Sequence, residues 1–344
     1  MNISREKFFT APDGRSAELI KLRSADGSGV DITNFGGCVV SLMVPDKNGS
    51  LTDVALGWKK PEDYLTNGCY FGALIGRIPN RIANGRFTFE GRVYQMCLND
   101  NNRCTLHGGF GFSHRWWDIE SISGNEVTLR LISPDGDGGF PGKIEVHAVY
   151  RWKEDHTLEL EISAESDRPA VADFTNHTYF NLDGENYGST LDHTVKIAAD
   201  RVTVTDEFLQ ATGEILGVAG SRFDLRSGKS FRQIISENPS GFDDNFIIGD
   251  AYGVFRKNAA VVTAGQSGIS MAVHTTAPGI QFYMGGFLNE DGKSRYLKHS
   301  GFCLETQNWP NAVNMPCFPS VRIEPGKGYH SISCYAFSTG KDIQ

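Results

Sequence analysis

Residues 144–162 read Ile-Glu-Val-His-Ala-Val-Tyr-Arg-Trp-Lys-Glu-Asp-His-Thr-Leu-Glu-Leu-Glu-Ile, and their periodicity decides the fold class. Ile144, Val146, Ala148, Tyr150 and Trp152 alternate with polar or small neighbours. The polar stretch 153–156 interrupts them, and Leu158, Leu160 and Ile162 resume the alternation. Successive side chains of a strand point to opposite faces. The stretch therefore predicts an antiparallel hairpin with one buried and one solvated face.

The same pattern recurs outward from it. Trp117 and Ile119 lead through Gly124-Asn125 to Val127, Leu129 and Leu131, a second hairpin whose turn residues tolerate positive φ. Phe87 and Phe89 lead through Glu90-Gly91 to Val93, a third. Helical periodicity is scarce; residues 61–65 and 223–235 each predict a short helix. Thirty-nine glycines suit many turns between many short strands. The expected class is all-β, a large antiparallel β-sandwich or barrel with a few short helices. With no Pro- or Ser-rich linker, no composition shift and no internal repeat, residues 1–344 read as one domain.

Net charge is −8, from 33 Lys and Arg against 41 Asp and Glu. Phosphate backbones need a basic face, so nucleic acid is not an expected partner, nor is an anionic membrane surface. No apolar run approaches the roughly 18 residues of a spanning helix. The opening residues lack a basic start followed by an apolar stretch, so no secretory leader is expected. Seven cysteines, an odd number without CxxC spacing, read as reduced thiols, mostly small buried residues, in a cytoplasmic protein. The stretch 133–141 (SPDGDGGFP) lacks the spaced carboxylates of a calcium loop and reads as an exposed loop. Oligomeric state is not legible.

Four polar clusters interrupt the strand patterns. Residues 76–82, GRIPNRI, bring two arginines and an amide together, and Arg presents a planar fork of donors to oxygens. In Leu106-His107-Gly108-Gly109 the glycines permit close backbone approach to a ligand. Residues 175–182, TNHTYFNL, are denser in amide and imidazole groups than a solvated strand face requires. There His177 suits a general acid or base near neutral pH, or a hydrogen-bonded core histidine. Residues 301–310, GFCLETQNWP, set Glu305 behind mostly apolar residues, where desolvation raises a carboxyl's pKa towards a useful base; a Glu paired with Arg is the alternative. Zinc spacing, a GxSxG elbow, a phosphate loop and a dinucleotide fingerprint are all missing.

These segments together resemble the aldose 1-epimerase (galactose mutarotase) family. The likeness covers Asn34-Phe35-Gly36-Gly37, GRIPNRIANG (76–85), LHGG (106–109), NHTYFNL (176–182), Phe242-Asp243-Asp244-Asn245-Phe246, PGIQFY (278–283) and LETQNWPNAVN (304–314), in family order over nearly the whole chain. It implies a β-sandwich with a sugar cleft, a free aldose as small-molecule partner, and no cofactor or metal. It implies Glu305 as general base and His177 as general acid. His107 and Arg81 are implied near the ring oxygen and hydroxyls, with Asn80, Asp243 and Gln281 as further sugar-binding groups. Pro79 stands where the family often has Ala. Asp243-Asp244-Asn245 stands where it often has Asp-His-Asn, and position selects Asp243 over Asp244.

The chemistry implied is ring opening. The base takes the C1 hydroxyl proton, the acid protonates the ring oxygen, and the aldehyde turns before closure. The acid must then hold a proton at the outset, and negative charge at Glu305 is expected to raise the pKa of His177. Two rivals share the fold. A hexose 6-phosphate mutarotase would need a cationic pocket from Arg77, Arg81 or Arg115. A sugar-binding protein would have lost catalysis.

Overall fold

The computed structural model describes residues 2–109, 111–289, 292 and 294–340. The predicted hairpin lies inside the largest sheet. Ile144–Trp152 pairs antiparallel with Thr157–Ser166, from Ile144 opposite Ser166 to Trp152 opposite Leu158. Ile144, Val146, Ala148, Tyr150 and Trp152 are all buried, and the residues between them are half-exposed. Glu126–Ser133 and Asp118–Ser123 extend the sheet on one side. Tyr329–Thr339, Ile269–Thr275, Arg256–Thr263, Thr194–Ile197 and Lys229–Ser230 extend it on the other, to nine strands in all.

Two five-stranded sheets complete the sandwich. One is the meander of the first five strands, from Asn2–Thr10 to Leu51–Asp53. The other runs in the order Ala211–Gly217, Arg201–Thr205, Asp243–Ile247, Gly279–Tyr283, Cys303–Gln307. One apolar core joins all three sheets, with Ile20 and Leu42 from the first, Val146 and Tyr335 from the nine-stranded sheet, and Phe246, Phe282 and Leu304 from the last. Two of the buried aromatic residues keep their polar atoms bonded: Trp152 Nε1 donates to Ser24 Oγ at 3.0 Å, and Tyr150 Oη to the Gly37 carbonyl at 2.7 Å.

The hairpin Arg86–Phe89 with Arg92–Gln95 forms as read, as does Asp118–Ser123 with Glu126–Ser133. Residues 61–66 form a 3-10 turn. The second expected helix is shorter than its periodicity suggested. It begins at Phe231, not Phe223, because Gly228 takes φ +91° and Lys229–Ser230 pairs with the strand Thr194–Ile197. Ser230 then caps the helix, accepting from the Gln233 N–H at 3.2 Å. In the 133–141 loop, Asp137 is taken by Arg115 and Asp135 by Arg168. No described helix is long and apolar enough to cross a membrane, which does not bear on membrane-spanning strands.

Candidate active site

Two cross-strand rows build the floor of a pocket. Asp243 lies opposite Tyr283, and Tyr283 opposite Cys303; Asn245 lies opposite Gln281, and Gln281 opposite Glu305. Period-two alternation turns the side chains of residues 243, 281, 283, 303 and 305 to one side. Asp244 accordingly points the other way, 3.6 Å from Arg222, and burial pushes its carboxyl up to about 6. Asp243 alone of the two lines the pocket, where it accepts from Gln281 Nε2 at 2.7 Å and pairs with Arg81 Nη1 at 3.5 Å.

His177 comes from another segment. Phe180 and Phe302 exchange backbone hydrogen bonds of 2.7 and 3.0 Å, as an antiparallel bridge. Three residues back from Phe180 and three forward from Phe302 bring His177 opposite Glu305. His177 Nε2 lies 3.7 Å from Glu305 Oε1, with both side chains buried. The strand Thr175–His177 is held from below by Asn176, whose Nδ2 donates to the Gly72 carbonyl at 2.7 Å and to Tyr150 Oη at 3.2 Å.

GRIPNRI and LHGG interlock. The Asn80 N–H donates to His107 Nδ1 at 3.3 Å, and the His107 N–H returns to the Asn80 carbonyl at 3.0 Å. Both residues carry positive φ, +57° and +53°. A Cβ on Gly108 would stand 2.2 Å from the Gly76 carbonyl oxygen. The glycine thus serves the approach of backbone to backbone, rather than the approach to a ligand expected from the sequence. Arg81 Nε donates to Asp100 Oδ2 at 2.8 Å, so two carboxylates hold its guanidinium over the pocket. Burial works against that charge, but Asp243 and Asp100 outweigh it and raise the pKa.

Asn80, Arg81, His107, His177, Asp243 and Glu305 all line this pocket, which opens to solvent. Gln281 supports the floor through Asp243. Tyr70, Tyr179, Tyr283 and Phe287 supply aromatic walls that the sequence reading did not single out. Tyr283 and Cys303 were within reach of that reading, being two residues from Gln281 and Glu305 on the same strand faces. Tyr70 carried no such signal.

Arg77 does not reach the pocket. It is buried elsewhere and donates to Ser133 Oγ and to the carbonyls of Ser133, Pro134 and Pro141, at 2.7–2.9 Å. Four of the seven cysteines are buried, whereas Cys97 and Cys317 are exposed and Cys69 lies at the pocket wall.

Burial governs the electrostatics. It pushes Glu305 well above the usual carboxyl range, and the charge of Asp243 adds to this while Arg81 opposes it. It pushes His177 down to about 4 and His107 well below its ordinary value. The expected rise at His177 is not found, because desolvating an imidazolium outweighs the nearby carboxyl when that carboxyl is itself driven to its neutral form. Both shifts favour the uncharged form of the pair, with one proton held between its members.

His107, His177 and Glu305 offer three metal-type ligand atoms within 4.8 Å of one another. Ring opening would draw on these same atoms, so a cation and a sugar would exclude each other there. Glu305 Oε2 and Gln281 Oε1 are buried without a hydrogen-bond partner among the described residues.

The comparisons agree with this architecture. A family model described as aldose 1-epimerase matches residues 18–335. The galactose mutarotase of Rattus norvegicus is 40% identical, over 98% of this chain and 99% of its own. The aldose 1-epimerase of Escherichia coli K12 is 35% identical, over 95% and 97%. A solved GalM/aldose epimerase homologue from C. elegans superposes with a TM-score of 0.86 at 27% identity, covering 94% of this chain and 99% of that one.

Proposed function

The chain belongs to the aldose 1-epimerase family, and from that premise we propose that it interconverts the α and β anomers of free aldoses, with Glu305 as base and His177 as acid. One observation carries the assignment of roles: a carboxyl and an imidazole 3.7 Å apart, both buried, at the floor of a pocket open to solvent. Full-length relatives that are mutarotases and epimerases support the activity, an isomerisation in carbohydrate metabolism.

The reaction begins when sugar hydroxyls enter and donate to Glu305. They solvate its carboxylate and move the shared proton to His177. Glu305 then takes the C1 hydroxyl proton as His177 protonates the ring oxygen, and the C1–O ring bond breaks. The pair is now again a protonated carboxyl and a neutral imidazole, the distribution that burial favours. This return offsets part of the cost of forming the open aldehyde. Rotation about C1–C2 and reversal of both transfers give the other anomer. Arg81 and the Nε2–H of His107 donate to oxygens on which charge develops. Asn80, Asp243 and Gln281 hold the hydroxyls, directly or through one another.

The 6-phosphate alternative loses its cations. Arg77 is spent on carbonyls, Arg115 on Asp137, and Arg81 on Asp100 and Asp243. A core drawing on residues from Ile20 to Phe337 supports one domain over 1–344. The buried thiols suit a cytoplasmic location, to be checked by fractionation.

The test is polarimetry on fresh α-D-galactose, with glucose, xylose, arabinose and glucose 6-phosphate as a panel. His177→Asn is expected to lower kcat about 10²–10⁴-fold with the fold retained. A change confined to KM would make His177 a binding residue. Tight sugar binding by the wild-type protein without acceleration would make it a sugar-binding protein instead.

A further inference from the structure

The two histidines of the pocket differ in what holds their second nitrogen. His107 Nδ1 accepts from a backbone N–H, which only donates, so His107 carries its proton on Nε2 and stays neutral. His177 Nδ1 instead meets the Sγ of Cys303 at 3.6 Å. Cys303 is fully buried, two residues before Glu305 on the same strand face. The remaining faces of the His177 ring meet Tyr70, His107, Tyr179 and Tyr283.

We propose that Cys303 is the positioning residue of His177: its sulfur accepts from Nδ1–H and so reserves Nε2 for the proton exchanged with Glu305 and the sugar ring oxygen. This inference rests on the epimerase reading for its catalytic consequence. The chemistry requires that tautomer. When His177 gives its Nε2 proton to the ring oxygen, the neutral ring left behind holds its proton on Nδ1. The reverse tautomer has no lone pair on Nε2 with which to take the proton back.

Sulfur also differs from the carboxylate that holds the imidazole in a Ser-His-Asp triad. A carboxylate would stabilise the imidazolium and weaken it as an acid. An uncharged thiol orients the ring without doing so. Burial keeps this thiol protonated, and therefore uncharged, well above neutral pH.

Imidazole ¹⁵N NMR on the full-length wild-type protein and on Cys303→Ser and Cys303→Ala, with polarimetric kcat and KM and a melting curve for each, tests the proposal. Without substrate at pH 7, the His177 signals of wild type and Cys303→Ser are expected to report protonated Nδ1, and Cys303→Ala a shift towards protonated Nε2. Cys303→Ala should lose about 3- to 10-fold in kcat, the worth of one hydrogen bond, with KM within about twofold, and serine should restore most of it. A wild-type His177 protonated on Nε2, or an alanine variant with unchanged tautomer and kcat, overturns the proposal. So does a serine variant as impaired as alanine at the same melting temperature, which would reduce Cys303 to a packing role. An inactive wild type that still shows the tautomer shift would refute the epimerase reading and leave the positioning role standing.

Discussion

Changing Glu305 to Gln should move activity and stability in opposite directions. The carboxyl is 2% exposed, and its Oε2 has no hydrogen-bond partner among the described residues. Its pKa is raised by burial and by Asp243, so protonation favours the folded state. The sign follows by linkage. The stability that this group confers is fully present below its unfolded pKa and is lost as pH rises through its raised folded pKa. Glutamine has no such loss. At alkaline pH the variant should therefore be more stable than wild type, by about 1–3 kcal/mol, the typical penalty of a buried unsatisfied polar group. The gain should shrink towards zero near pH 4. Activity should fall about 10²–10⁴-fold, since the amide cannot take the C1 proton. Urea unfolding at several pH values between 4 and 9, beside polarimetry on fresh α-D-galactose, measures both. A near-normal rate would refute the role of base. A stability difference that does not vary with pH would refute the raised pKa.

Four further outcomes are expected. The activity profile in kcat/KM should be bell-shaped, with an acid limb near the His177 value of about 4 and an alkaline limb set by Glu305. Asp243 raises the Glu305 pKa, so Asp243→Asn should move the alkaline limb to lower pH; a limb that stays put or rises would contradict that coupling. Dialysis against EDTA should leave the rate within about twofold, because acid, base and donors are all side chains, and added Zn²⁺ should inhibit competitively with sugar at His107, His177 and Glu305; activity lost to EDTA and restored by Zn²⁺ would make the cluster a working metal centre. Arg77→Met should lower stability by about 3–5 kcal/mol in urea unfolding, because it strands the carbonyls of Ser133, Pro134 and Pro141, while KM for sugar stays within about twofold.

Strand periodicity carried most of what was legible in the sequence. Ile144 to Trp152 announced their sheet because burial on one face leaves a period-two record in any antiparallel strand. The same rule separates Asp243 from Asp244, since neighbours on a strand face opposite ways, and it reaches from Glu305 to Cys303. Contacts between distant segments left no such record. Nothing in GRIPNRI indicates that Arg77 turns towards Ser133 and Pro141 while Arg81 turns towards Asp243. Asp100, which shares Arg81 with Asp243, sits in an unremarkable polar stretch. Periodicity also over-read residues 223–230, where a glycine with positive φ and an edge pairing displaced the first turns of a helix. The electrostatics of the pair were read in the wrong direction at His177, because a sequence shows which charges are available but not how far water is removed from them.

The bridge between Phe180 and Phe302 makes the spacing of the two proton-transfer groups a dimension of the main chain. Side-chain rotamers only trim it. Loops at the rim can lengthen or change composition without altering that dimension, so substrate preference is free to drift while the chemistry stays fixed. The converse is a specific fragility: one residue inserted between Phe302 and Glu305 would slip the ladder by a step and turn the carboxyl out of the pocket, however conservative the inserted residue.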